Sequence, residues 1–182
     1  RSARSGVVTL TDLGRTALNA SANVDLPVAS RNNDVLAFLG NLSVNGSIRL
    51  ERDVTVNGSI ETVNGSVFVD RGGKVRNNVE TVNGAIGLVA TQLGGGIQTV
   101  NGDITVGIES VVKGGIKIEK SNSWLQNKPK RDPRVIIGPN AVVEGALVFE
   151  RPVKLYVHKT ARIGPVTGAT AQTFEGDTAP KE

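Results

Sequence analysis

The triplet Val-Asn-Gly occurs five times between residues 44 and 102, at Val44-Asn45-Gly46, Val56-Asn57-Gly58, Val63-Asn64-Gly65, Val82-Asn83-Gly84 and Val100-Asn101-Gly102. The copies starting at Val44, Val63, Val82 and Val100 are 19, 19 and 18 residues apart. A period this short excludes propeller blades and helical hairpin repeats, and no helical periodicity runs through it. Each copy is followed by alternating apolar residues: Ile48 and Leu50, Val67 and Val69, Ile86 and Leu88, Ile104 and Val106. Alternation of this kind marks strands with one buried face. Glycine-containing stretches (Gly72-Gly73, Gly94-Gly95-Gly96, Gly114-Gly115) and single apolar residues (Val75, Val79, Ile97, Ile116) lead back to the next copy. Two or three short strands joined by tight corners therefore fill each period, which predicts an all-β, single-stranded parallel β-solenoid with coils of 18–19 residues. Asn-Gly turns in an antiparallel meander are the alternative, and they would bring variable spacing and polar flanks.

Stacked coils explain the composition. Equivalent positions lie about 4.8 Å apart, so each inward residue stacks on its own counterpart, and aliphatic side chains keep that register where large rings would not. The chain accordingly has one Trp, one Tyr and four Phe in 182 residues. Asn45, Asn64, Asn83 and Asn101 share one corner, where stacked amides can bond to one another in a ladder. This corner is expected to use the positive φ that Asn and Gly tolerate, with Val63, Val82 and Val100 stacked inside the solenoid. Glu61, Glu80 and Gln98 recur at one coil position and are expected to form a solvent-facing ladder.

From Val135 the rhythm changes to six residues, with Ile137, Val143, Phe149, Leu155 and Ala161 each opening a hexad. Three hexads make an 18-residue coil, so one stack can continue through the solenoid region 42–166. Residues 120–134 interrupt it as a polar loop containing Pro129 and Pro133. Residues 1–41 have strand-like pieces (Val7 to Leu10, Val24 to Val28, Val35 to Leu39) but no repeat, as an N-terminal cap requires, with a short helix expected between Asp12 and Ala22. Residues 167–182 read as a loosely packed tail.

The absence of Cys excludes disulfides, thiolate metal sites and a Cys nucleophile, and one His excludes a multi-His metal site within the chain. No run reaches the roughly 18 apolar residues of a transmembrane helix. The chain opens at Arg1 and has no Met, which is compatible with removal of a signal peptide. No cofactor is implied. Gly94-Gly95-Gly96 lacks the Gly-Lys-Ser/Thr of a phosphate loop and reads as a corner.

Charge is concentrated in one place. Lys120, Lys128, Lys130, Arg131 and Arg134 against Asp132 give residues 120–134 a balance of +4, the formal net charge of the whole chain. With Trp124 in the same loop, Trp124, Lys128, Lys130, Arg131 and Arg134 form a candidate patch for an anionic polymer, a glycan or lipid headgroups; a solvated loop has the same composition.

The Glu-Thr-Val-Asn-Gly units (Glu61 to Gly65, Glu80 to Gly84), the run from Pro133 to Gly145, Tyr156-Val157-His158 and Ala161-Arg162-Ile163-Gly164 resemble the bactofilin-like, polymer-forming β-helix proteins of bacteria, in particular uncharacterised proteobacterial envelope proteins. The resemblance covers roughly 42–170. The N-terminal region and the basic insertion depart from the short bactofilin core. The resemblance implies a non-enzymatic scaffold that self-associates end to end in the bacterial periplasm or cell envelope; the cytoplasm is the alternative location. A second reading is a binding module that holds an anionic polymer or cell-wall glycan through the loop. A more distant one is a hexapeptide-repeat-like acyltransferase, a class whose left-handed β-helices use a His as base. Here His158 is expected to be an exposed strand residue with no catalytic part.

Overall fold

The computed structural model describes residues 6–10, 16–19, 24–25, 28–32, 35–39, 42–121 and 131–181. The fold is an all-β parallel solenoid of about six turns with coils of about 19 residues. Its coils contribute in rotation to three sheets, here A, B and C, of nine, eight and eight strands. A typical coil runs from Ile60–Asn64 in sheet B to Val67–Val69 in A and Lys74–Val75 in C, and the next begins at Val79–Asn83 in B.

The register follows the repeat. Val67 pairs with Ile48 below and Ile86 above, and Val79 pairs with Ile60 and Ile97. The inner row of sheet A thus reads Ile48, Val67, Ile86, Ile104, Val135, Leu155, and each is at most 1% exposed. In sheet C, Val56, Val75, Leu93, Val112 and Val143 stack in the same way. Val135, Ile137, Val143, Phe149 and Leu155 are all buried, so the hexad segment continues the same core. Burial of an aliphatic side chain of this size contributes about 1.5–3 kcal/mol, and repetition along three walls supplies the cohesion that aromatics give other folds.

Two expectations about the Asn-Gly corner are corrected. Val63 and Val82 point outward, 51% and 40% exposed, and Val100 is half-exposed; the inward row is Thr62, Thr81 and Thr99, at most 5% exposed. The valines do share one edge, but the parity of the strand puts the threonine inside. The reason is the corner itself. Thr62 Oγ1 donates to the Gly46 carbonyl at 2.6 Å and Thr81 Oγ1 to the Gly65 carbonyl at 3.0 Å, so an inward hydroxyl satisfies a carbonyl that the tight turn leaves over. Positive φ is not used there either. A Cβ on Gly84 would fall on the backbone of Gly65 in the coil below, so glycine is required by close approach of two successive coils. In the repeat coils positive φ occurs instead between sheets A and C, at Asp53, Gly72, Ala90, Glu109 and Asn140, with φ between 42° and 76°; between sheets B and A it appears at Gly168 of the last coil, with φ 85°.

The N-terminal cap is antiparallel. Thr16–Asn19 pairs antiparallel with Gly6–Leu10, Val24–Asp25 with Leu42–Val44, and Val28–Asn32 with Val35–Leu39. All three sheets thereby change direction at that end. The helix expected between Asp12 and Ala22 is replaced by the strand Thr16–Asn19, which the edge of sheet A recruits. At the other end Ala171–Phe174 completes sheet A beside Lys154–His158, and Phe174 is buried. This part of the tail is paired into the stack. Among the described residues no helix is long and apolar enough to cross a membrane.

Candidate functional site

The corner between sheets B and A carries the features that separate this solenoid from a plain stack. Asn64 Nδ2 donates to Asn45 Oδ1 at 3.3 Å, Asn83 to Asn64 at 3.0 Å, and Asn101 to Asn83 at 3.0 Å, which is the ladder expected from the repeat. Each rung uses one donor and one acceptor, so Asn101 Oδ1 is left open at the top. Pairing of Thr99 with Ile118 and of Ile118 with Phe149 continues this row to Lys120 and then Arg151. The loop departs at Lys120, and Arg151 reaches back across the gap. Its Nη1 donates to Asn101 Oδ1 at 2.9 Å and to the Val100 carbonyl at 3.1 Å. One guanidinium thus closes the ladder and satisfies a main-chain acceptor that the departing coil no longer covers.

Both roots of the loop are clamped by carboxylates. On the returning limb Asp103 accepts from Arg131 Nη1 at 3.0 Å and Nη2 at 2.6 Å, and from the Arg134 N–H at 2.9 Å. Burial pushes the Asp103 carboxyl up, but the Arg131 hydrogen bond, the Arg134 N–H and the charges of both arginines outweigh it and hold the group below its ordinary value. On the departing limb the Lys120 N–H donates to Glu150 at 3.2 Å, and Lys117 lies 3.4 Å from the same carboxylate and 2.8 Å from Glu119. The Lys120 N–H and then Lys117 hold Glu150 below its usual range, while Glu119 and Glu150 raise Lys117. Between the roots lies a cleft of about 390 Å³ lined by residues that include Asn101, Asp103, Arg131, Pro133 and Arg151.

The five residues singled out for polyanion binding are therefore not one free patch. Trp124, Lys128 and Lys130 lie outside the described residues. Arg131 is held in the fork on Asp103. Arg134 begins the strand Arg134–Ile137, donates through Nη2 to the Pro180 carbonyl at 2.6 Å, and stands 5.3 Å over the Tyr156 ring. Two of the five cations and aromatics counted from sequence thus have structural work in the stack.

His158 is buried, 7% exposed, which corrects the expectation of a surface residue. The Thr160 N–H donates to Nδ1 at 3.2 Å, and Thr160 Oγ1 lies 2.8 Å from the same nitrogen while accepting from the Asn140 N–H at 2.9 Å. The ring meets Phe174 edge to face at 5.2 Å. These contacts fix the turn after Lys154–His158. Glu61, Glu80 and Gln98 do stack in register on the outer side of sheet B. Among the described residues no group of three or more His, Asp or Glu could hold a metal ion.

Sequence reasoning missed Arg151, Asp103 and Glu150. The signal for Arg151 was present: once the insertion is removed, Phe149 aligns with Thr99, and Arg151 falls on the asparagine row. It also missed Lys74, Arg76 and Lys113, three exposed cations around a groove of about 460 Å³ on sheet C, because they are far apart in sequence and meet only through stacking. No known protein family, curated protein or solved structure matches the chain.

Proposed function

We propose that this protein is a non-enzymatic structural scaffold whose solenoids associate with one another in the bacterial cell envelope. The observation that carries the reading is the asymmetry of the two ends. The N-terminal edges of all three sheets finish in antiparallel strands, whereas Arg162–Ile163, Val166–Thr167 and Ala171–Phe174 are each the last strand of their sheet. No described strand covers them, and Ile163, Val166 and Ala169 are only partly buried there. Unpaired edges beside apolar side chains invite another chain. The likeness of residues 42–170 to bactofilin-like proteins supports both self-association and the envelope as its setting.

Sedimentation velocity over a range of concentrations, with electron microscopy of the same samples, tests this reading. Lysines at the exposed positions Ala171 and Thr173 place charges in the end plane, so Ala171→Lys with Thr173→Lys should reduce end-to-end species without lowering the melting temperature. A parent chain that stays monomeric at every concentration would remove the reading.

A second reading, in which an anionic polymer or cell-wall glycan is held, rests on Trp124, Lys128 and Lys130, which fall in sequence between the two clamped roots. Lys128→Gln with Lys130→Gln should then lower heparin affinity and the steepness of its salt dependence. Equal binding by parent and variant would discard it.

A further inference from the structure

The fold places the five Val-Asn-Gly triplets, identical in chemistry, in different settings. Asn64 and Asn83 lie inside the corner ladder, where each donates through Nδ2 and accepts through Oδ1. The glycine N–H after each is bound as well, Gly65 to the Asn83 carbonyl at 2.9 Å and Gly84 to the Asn101 carbonyl at 3.0 Å. Asn45 and Asn101 end the ladder, Asn45 accepting from Asn64 and Asn101 held between Asn83 and Arg151. Asn57 stands apart, at the corner where the chain passes from sheet C to sheet B. Its side chain is exposed and makes no hydrogen bond among the described residues. Arg76 follows Val75 as Asn57 follows Val56, and these valines pair, so Arg76 stands one coil above Asn57. Both border the groove of about 460 Å³ on sheet C, and Arg76 makes no ion pair among the described residues.

We propose that Asn57 is a self-modification site, at which the following main-chain nitrogen attacks the side-chain amide and the asparagine becomes a carboxylate. The Gly58 nitrogen bonds to Asn57 Cγ, the Cγ–Nδ2 bond breaks, and Nδ2 leaves as ammonia with the proton that the Gly58 nitrogen gives up, so that a cyclic succinimide closes. Water then opens the ring at either of its carbonyl carbons and leaves aspartate or isoaspartate. Glycine hinders such an attack least, since it has no Cβ and its backbone turns freely. The local chemistry is shared by all five triplets, and the fold sorts them. Ring closure requires the asparagine Cγ to swing onto the next main-chain nitrogen. In the ladder that rotation breaks the side-chain bonds to the coils below and above; at Asn57 the side chain has none to break among the described residues. The negative charge that gathers on Asn57 Oδ1 during the attack, and the carboxylate that results, are favoured by the Arg76 cation. Arg151 also touches the Asn101 Oδ1, but that bond and the one to Asn83 hold the amide in the ladder. Isoaspartate lengthens the main chain between the Val56 and Gly58 carbonyls, which accept from the Arg76 N–H at 2.9 Å and the Asn77 N–H at 3.2 Å, so it loosens the tie to the coil above.

This site is independent of how the solenoids assemble. The test is peptide mapping by mass spectrometry of the full chain held in mildly alkaline buffer, following the gain of about one mass unit at each Asn-Gly. In the folded chain Asn57 should convert at least about tenfold faster than Asn64 and Asn83, the factor that opening one or two hydrogen bonds implies. In concentrated urea the five triplets should convert at similar rates, because the fold no longer distinguishes them. Asn57→Gln should abolish the early product. Asn83→Ala, with its folding verified by thermal melting, removes the middle rung and should speed conversion at Asn64 and Asn101 while leaving Asn57 unchanged. Conversion of Asn57 in the folded chain no faster than that of Asn64 and Asn83 would overturn the proposal, and so would a folded-state order that merely repeats the order in urea.

Discussion

The same corner is built in two ways along this molecule. In the coils below the insertion it is neutral and repetitive: Thr62, Thr81 and Thr99 inside, Asn45 to Asn101 in a ladder, and glycines where the chain presses on the coil beneath. From the coil where the loop departs, the threonine row continues as Ile118 and Phe149, the asparagine row as Lys120 and Arg151, and the glycine row as Pro133 and Val153. All three substitutions occur together. Thr62 and Thr81 each place a hydroxyl on a glycine carbonyl, Thr99 Oγ1, in the last coil of the row, is buried without a partner, and a glycine is needed only while two corners touch. Once the loop opens the corner, apolar side chains refill the wall and charged groups hold the ends.

That interdependence can be broken most severely from the inside. Thr81→Asp should cost about 3 kcal/mol or more, since a carboxylate has no partner among aliphatic rows, whereas Val82→Asp, one residue away and outward, should stay within about 0.5 kcal/mol. Chemical denaturation of the two variants measures both, and equal effects would contradict the parity found here. Next in size is the glycine row: Gly84→Ala forces a Cβ onto the Gly65 backbone and should cost about 2–4 kcal/mol, against about 1 kcal/mol or less for Pro133→Ala at the equivalent place above the loop.

Why the fold was legible and the corner was not follows from the same residues. The spacing of Val44, Val63, Val82 and Val100 reports the period directly, and the buried pairs such as Ile86 and Leu88 report the wall of sheet A, so the solenoid and these inward rows could be read from the chain. The corner required a choice between adjacent β-branched residues of similar volume, Thr81 and Val82, and hydrophobicity alone chose the wrong one. Counting alternation from Val79, which is inward, would have placed Thr81 inside. The ladder was legible because asparagine repeats at one position; its closure by Arg151 was not, because the partner lies two coils away behind an insertion. The loop's charge was read as a free patch because nothing local in 131–134 shows that Asp103, some thirty residues earlier, sits beneath it.

A smaller effect is expected at the junction of the two corner types. Arg151→Ala leaves Asn101 Oδ1 and the Val100 carbonyl without their donor and should cost about 1–2 kcal/mol. Arg151→Lys restores a charge but not the reach and fixed plane that set one Nη1 between both acceptors, and should recover only part of the loss. Hydrogen exchange would locate the change at the top of the ladder. If Arg151→Ala instead left denaturation unaltered, the ladder would end without need of a cap.

The smallest effect concerns pH, and its sign follows from the clamp on the returning limb. Asp103 is held below its ordinary value of 3.8 in the folded chain, with Arg131 and Arg134 as the cations facing it. A depressed carboxylate contributes stability that is complete above its unfolded value and is lost as pH falls through the lower folded value. The parent should therefore be more stable than Asp103→Asn near neutral pH, and the difference should close as the solution is acidified below about pH 4. Protonation frees the Arg131 fork and weakens the bond from the Arg134 N–H, so exchange of that amide should accelerate in acid in the parent and be fast at every pH in the variant. A stability gap that stays constant across the acid range would mean that the charge on Asp103 is immaterial, and that shape alone holds the returning limb to the stack.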